Sequence, residues 1–396
     1  MLIPRDIGAE FLRAAASQPV VTVVGPRQSG KTTLVRQAFP DKPYRSLEDP
    51  DIRAFASSDP RGFLHGLLDG AILDEIQRLP DLLSYLQGMV DEDPRPGRFI
   101  LTGSQHFLMM EKVSQSLAGR TAILTLLPLS LRELAAAGAE DPGMNSLMQK
   151  GFYPRLHERR LDPYPLLRDY FATYVERDVR QLLKVHDLLV FERFTRLCAG
   201  RVGQLLNVSS LASDAGVSAT TAREWLTLLE ASFVLFRMPP WFANVGKRLI
   251  KAPKLYFHDV GLAAYLCGIE QPEHLVSHPL RGCFFENLVV SELLKTRYNH
   301  GRDNRLMFFR DRGGMEVDVL YPIGPEFLPI EIKAGRTLQN EWFSGIKKLA
   351  GLSPEFRDHG LVVYGGEEVQ HRSAGTACGL WQLAQVLAEA EAGRLH

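Results

Sequence analysis

The sequence predicts an α/β protein: a parallel, doubly wound sheet, then a helical middle, then a second, smaller α/β unit. Three observations carry that expectation. Through the first third, the short apolar runs "VVTVV", "YRSL", "AILD", "FILT" and "AILTLLPL" alternate with helical stretches, as strands joined by crossover helices do. In the middle, Leu167, Tyr170, Phe171 and Tyr174 recur on one helical face. Toward the end, the pattern reads helix 283–297, strands 306–309, 316–321 and 328–334, helix 339–350, strand 360–364 and helix 379–391.

The 396 residues leave room for two or three cores, and an apolar content of 45% with 23% charged residues is that of an ordinary water-soluble chain. Lys plus Arg equals Asp plus Glu at 46 each, so net charge does not point to nucleic acid. Four scattered cysteines form no CxxC pair, which argues against a zinc site and fits a reducing compartment. The start "MLIPRDIGAE" lacks the form of a signal peptide, and no apolar run approaches the roughly 18 residues that span a bilayer. A cytoplasmic chain with no membrane partner is expected.

The first strand runs straight into "GPRQSGKTTL" and then a helix. Gly25, Pro26, Arg27, Gln28, Ser29, Gly30, Lys31 and Thr32 match G-x-x-x-x-G-K-[ST], with Thr33 following. Glycines there let backbone N–H groups wrap phosphates, and the helix N-terminus adds partial positive charge. Lys31 is placed for the β- and γ-phosphates and the Thr32 hydroxyl for Mg²⁺. "GAILDEIQ" supplies the companion acids: Asp74 to hold Mg²⁺ through water and Glu75 to deprotonate the attacking water. "RFILTGSQ" ends a further strand at Thr102 and Ser104, placed to sense the γ-phosphate. ATP with Mg²⁺ is therefore the expected cofactor pair, bound by residues 1–134.

A Gly/Pro-containing stretch, 134–146, marks the first boundary, and residues 135–200 read as a helical lid. Its charged face carries Arg168, Glu176, Arg177 and Arg180; the face reads as solvated, with Arg177 or Arg180 as alternative lid arginines for ATP. Residues 201–278 read as winged-helix-like. A helix led by Ser209 or Ser210 meets a turn at Gly216, and a second helix capped by Ser218 turns Trp225, Leu226, Leu228 and Leu229 inward. Its exposed positions, Thr220, Thr221, Arg223 and Glu224, are polar without being strongly basic. The wing-like "VGKRLIKAPK" adds Lys247, Arg248, Lys251 and Lys254 as a basic patch for DNA.

In residues 279–396, alternation along a strand puts Glu331 and Lys333 on one face and Ile330 and Ile332 on the other. Asp318 comes alongside from the neighbouring strand, and Glu286 on the first helix closes the set. The element order and these residues resemble the core of PD-(D/E)xK nucleases, a restriction-endonuclease-like α/β fold. In such a site Asp318 and Glu331 bind Mg²⁺ and Lys333 positions water or stabilises the phosphorane-like charge.

Over nearly its whole length the chain resembles a prokaryotic family of AAA+ P-loop ATPases that carry a carboxyl-terminal domain of unassigned function with a nuclease-like core. The resemblance rests on "GPRQSGKTTL", "LDEIQRLPDLL", "RFILTGSQ", "SLAGRTAILTLLPLSLREL", "YFATYVERDV" and "FFENLVVSELLK…EVDVL…PIEIKAG". It implies ATP binding and hydrolysis, homo-oligomeric assembly, and a trans-acting role for Arg120 at a neighbour's nucleotide. One departure is a short second strand motif, with Gly70 and Ala71 before Ile72 and Leu73, which implies slow turnover. Three outputs remain open on sequence: binding and remodelling of DNA, branched or structured DNA included; a nucleotide-dependent scaffold for protein partners with an inactive nuclease-like fold; and an ATP-regulated Mg²⁺-dependent nuclease.

Overall fold

The computed structural model describes residues 2–104, 116–138, 143–174, 188–241 and 251–394. Its first layer is a five-stranded parallel sheet of β1 (Val20–Val24), β2 (Tyr44–Ser46), β3 (Ala71–Asp74), β4 (Phe99–Gly103) and β5 (Thr121–Thr125) in the order β2-β3-β4-β1-β5. Helices α1 (Gly8–Ser17), α2 (Lys31–Ala38), α3 (Pro50–Ser58), α4 (Pro60–His65) and α5 (Leu82–Glu92) accompany it. Burial on both faces explains the continuous apolar runs. Val21 and Val23 enter one core with α1 and α2, while Val20 and Val24 enter the other. Because β4 separates β1 from β3, the glycine-rich loop after β1 and the acids after β3 open onto one shared crevice at the carboxyl ends of the strands.

After α6 (Leu131–Ala136), the middle comprises α7 (Met144–Lys150), α8 (Pro154–Glu158), α9 (Pro163–Tyr174), α10 (Leu188–Ala199), α11 (Val208–Ala215), α12 (Ala219–Ala231), the antiparallel pair β6 (Leu235–Met238) and β7 (Lys254–Phe257), and α13 (Val260–Leu266). The expected apolar faces are buried, including Leu167, Tyr170, Phe171 and Tyr174 on α9 and Trp225, Leu226, Leu228 and Leu229 on α12. Gly216 ends α11 in the left-handed region at φ 73°, and Ser218 caps α12 through the Thr221 N–H. The cap of α11 is Asn207 rather than Ser209 or Ser210: its side-chain oxygen accepts from Ser210 N at 3.1 Å, so the cap lies two or three residues earlier than expected.

The last unit packs α14 (Arg281–Asn299), α15 (Ser344–Ala350) and α16 (Leu383–Glu391) on a six-stranded mixed sheet. Its strands are β8 (Met307–Arg310), β9 (Glu316–Ile323), β10 (Glu326–Lys333), β11 (Gly360–Tyr364), β12 (Gln370–Arg372) and β13 (Gly375–Gly379), in the order β12-β13-β11-β10-β9-β8. β12 and β13 were not expected, and the final helix begins at Leu383 rather than 379. "GTACG" has no strand alternation of its own; it is extended because β11 offers it a parallel partner. One apolar cluster runs from Val20 through Phe191 and Tyr256 to Ala390, so the three regions share a core.

Candidate functional site

The loop after β1 is shaped by its glycines. Gly25 has φ 154°, and a β-carbon there would lie 2.1 Å from Leu126 O; Gly30 has φ 94°. Lys31 is buried, and its Nζ donates to the carbonyls of Gly25 at 2.9 Å and Pro26 at 2.8 Å, closing the loop around it. Across the crevice, Thr32 Oγ1 donates to Asp74 Oδ1 and Oδ2 at 3.1 and 3.2 Å. Tyr44 OH donates to Asp74 Oδ2 at 2.6 Å, and burial together with that bond raises the tyrosine's pKa. A threonine hydroxyl beside a carboxylate is a hard-oxygen donor set suited to Mg²⁺.

Glu75 takes φ 56°, a left-handed conformation uncommon for a non-glycine residue. Thr102 Oγ1 accepts its N–H at 3.2 Å and itself donates to Asp74 Oδ1. Ser104 Oγ donates to Glu75 Oε2 at 3.0 Å, and Gln77 Nε2 bonds both Glu75 and Ser104. The two residues expected to sense phosphate therefore orient the two acids. Arg27 pairs with Glu48 at 3.7 Å, and Gln28 adopts φ 59°. Arg27, Gln28, Gly30, Lys31, Thr32, Thr33 and Glu75 line one cavity of about 650 Å³, together with Arg155 and Arg159 from the middle region.

Sequence reasoning missed Arg5. Its guanidinium donates to Ser29 O at 2.5 Å, to Leu127 O at 2.6 Å and to Glu133 Oε1 at 3.0 Å. Because a trans peptide points its C=O and N–H in opposite directions, holding Ser29 O from behind aims Gly30 N–H away from Arg5. Tyr44, Gln77, Arg155 and Arg159 were also missed; only Gln77, two residues after Glu75, had a local signal. Arg177, Arg180, Lys247 and Arg248 lie outside the described residues.

Arg120 sits immediately before β5, at the end of the sheet opposite its own glycine-rich loop, where Val20 N donates to its carbonyl at 3.1 Å. Its guanidinium pairs with Asp91, with Nη2 3.0 Å from Oδ2. From there it cannot serve the nucleotide cavity of its own chain.

In the last unit, Glu286, Asp318, Glu331 and Lys333 do line one cavity, of about 570 Å³. The register that pairs Ile330 with Val319 brings Asp318 opposite Glu331. Lys333 Nζ lies 2.8 Å from Glu331 Oε2 and 3.4 Å from Asp318 Oδ2, while Ile332 N donates to Asp318 Oδ2 at 2.8 Å. Burial and the Asp318 charge push the Glu331 pKa up to about 8. Burial would raise Asp318 as well, but the Lys254 and Lys333 ammoniums hold it below its ordinary value. Burial and Asp318 raise Glu286.

Lys254 overturns an expectation. Read as part of a solvent-facing basic patch, it is instead 3% exposed, with Nζ 2.9 Å from Glu286, 2.7 Å from Glu316 and 3.8 Å from Asp318. It opens β7, whose side chain at that position points into the carboxylates of the last unit. The acids expected to hold Mg²⁺ thus surround lysines. Among the described residues, no group of three or more His, Cys, Asp or Glu side chains could hold a metal ion as they stand. The set as it stands does not fit a divalent cation, whereas Thr32 and Asp74 do.

The chain matches three family models: an AAA domain over residues 17–135, and two domains of unknown function, DUF8612 over 142–273 and DUF4143 over 281–383. It is 33% identical over 339 residues to uncharacterized proteins of Mycobacterium tuberculosis and Mycobacterium bovis, covering 85% of this chain and 75% of theirs. Among solved structures it is similar to a Walker-type ATPase of Pyrococcus abyssi (TM-score 0.46, 14% identity, 67% of this chain and 96% of that one). AMPPCP-bound DnaA from Aquifex aeolicus is similar at TM-score 0.30 and 13% identity, over 57% of this chain and 85% of that one. No helix among the described residues is long and apolar enough to cross a membrane. On the extent of its match to the mycobacterial proteins and on its amino-terminal domain, the chain belongs to their family and is a P-loop ATPase of the AAA type.

Proposed function

We propose that this protein is an oligomeric, Mg²⁺-dependent ATP hydrolase whose nucleotide state is passed to a DNA-handling carboxyl-terminal half. The observation that carries the hydrolase reading is the pair of polar networks across the crevice, Thr32–Asp74–Thr102 and Glu75–Ser104–Gln77. Residues Gly25 to Thr33 would cradle the phosphates, with Lys31 exchanging its carbonyl partners for phosphate oxygens. Thr32 and the Asp74 carboxylate would hold Mg²⁺, which when bound would neutralise charge at the phosphates. Glu75, oriented by Ser104 and Gln77, takes the proton of the attacking water. Arg120 serves a neighbouring copy, which its position at the far end of the sheet supports.

DNA as partner is supported by the order of α11, the Gly216 turn, α12 and the β6–β7 pair, with Thr220 and Arg223 exposed on α12. The scaffold reading gains from the burial of Lys254, which removes one cation from the surface patch. Turnover measured with and without a panel of DNA structures tests both halves. Lys31→Ala and Glu75→Gln are expected to abolish hydrolysis, the second while retaining ATP binding. DNA should stimulate the parent, with retention falling steeply as salt rises. A Glu75→Gln protein that hydrolyses ATP at the parental rate sinks the catalytic assignment, and salt-insensitive or absent DNA retention sinks the DNA half.

A further inference from the structure

The carboxyl-terminal acid cluster is assembled from two regions of the chain. Glu286, Glu316, Asp318 and Glu331 come from α14, β9 and β10, but the cation between three of them comes from β7. Lys254 cannot easily swing aside. Its strand pairs with β6 through Met238 on one edge. On the other edge, Leu206 N donates to Pro253 O, Gly203 N to Leu255 O and Leu255 N to Gln204 O, all at 2.8–3.1 Å. Two residues along the same strand, Tyr256 OH donates to Glu286 Oε1 at 2.5 Å, fixing the carboxylate that Lys254 meets.

A divalent ion would need several of these oxygens within about 2.0–2.6 Å of one point. The Lys254 nitrogen already stands 2.7 and 2.9 Å from two of the acids and 3.8 Å from a third. Two cations cannot share that seat, because their close approach in a buried setting is strongly repulsive even at an effective dielectric of about 20. Lys333 occupies the other flank, against Glu331 and Asp318. We infer that Lys254 is the resident cation of this cluster, a fixed ammonium holding the place of a divalent metal, so that the middle and carboxyl-terminal regions build the site jointly. This does not depend on the ATPase reading and is tested without nucleotide.

The probe is Tb³⁺, with Mn²⁺ as competitor, titrated into the full chain carrying Asp74→Asn so that the nucleotide crevice contributes nothing. Trp342 lines the same cavity and can sensitise Tb³⁺ emission. The expected result is no saturable emission in this parent. Adding Lys254→Met creates a saturable site, at least about tenfold tighter than any residual binding, and Asp318→Asn removes it again. A parent that binds Tb³⁺ or Mn²⁺ saturably, with binding lost on Asp318→Asn, overturns the inference; so does a folded Lys254→Met protein that gains no site. If Lys254→Met folds only when Mn²⁺ is present, the ion has replaced the ammonium and the inference stands. If it folds in neither condition, the parent titration decides: a metal-binding parent overturns the inference and a non-binding one upholds it.

Discussion

Glu75 shows how much the site depends on single side chains. Its φ of 56° costs a non-glycine residue on the order of 1 kcal/mol or more, and Thr102 and Ser104 hold it there from 27 and 29 residues away. Arg5 does the same for the phosphate loop. Arg5→Ala is expected to weaken ATP and ADP binding by roughly 10- to 100-fold, the loss of one or two charge-assisted bonds, read by titration calorimetry. It should also cost about 3–5 kcal/mol of stability, because Glu133 is left buried without its guanidinium. His157, on α8 beside the cavity-lining Arg155, offers a pH test. Burial lowers its pKa to about 4, although its Nε2 lies 2.8 Å from Gly151 O. The unfolded chain, with an ordinary histidine near 6.5, binds the proton first. The contribution is therefore complete above about pH 6.5 and lost as pH falls toward about 4. Denaturation at stepped pH should show a shallower fall for His157→Gln than for the parent.

Elements formed where local chemistry and periodicity agreed. α9 and α12 were legible because their apolar residues recur at helical spacing and Ser218 is a strong cap. β13 was not, because Thr376 alone among its residues favours a strand and it is the parallel partner β11 that extends the rest. Helix α13 owes its place to a glycine: a β-carbon at Gly261 would lie 2.6 Å from Gly151 N, so the helix rests directly on that backbone. Gly261→Ala is expected to lose about 1–3 kcal/mol through overpacking, more than the helix-propensity gain of roughly 1 kcal/mol. A urea midpoint at or above the parental one would contradict that contact.

Across the whole molecule, the nucleotide loop and the last unit are joined by buried polar contacts as well as by the shared apolar core. Arg5 links Ser29 O to Glu133, and Glu133 accepts from Ser130 N at 2.8 Å at the start of α6. The next N–H, of Leu131, donates to Glu292 Oε2 at 2.8 Å, and Lys295 Nζ bridges Glu292 and Leu129 O. Helix α14 thus carries both this anchor and Glu286 of the distal cluster. Glu292→Ala leaves Lys295 buried opposite the Phe152 ring without its carboxylate. The expected cost is about 3–5 kcal/mol, with ATP turnover losing the DNA stimulation proposed above. Thermal unfolding and stimulated turnover, measured on one preparation, check the two effects together.

The sequence by itself determined the glycine-rich loop between β1 and α2, the position of Asp74 and Glu75 at the end of β3, the main helices and the shared face of Glu331 and Lys333. In each case the chemistry is contiguous or follows the strand or helix repeat, so backbone geometry alone places it. Only the tertiary structure decided that Arg5 grips Ser29, that Arg120 stands away from its own nucleotide site, and that Lys254 belongs to a buried acid cluster rather than a surface. Those outcomes depend on which distant carboxylate or carbonyl a charge meets once water is excluded, and nothing within a few residues of Arg5 or Lys254 records that.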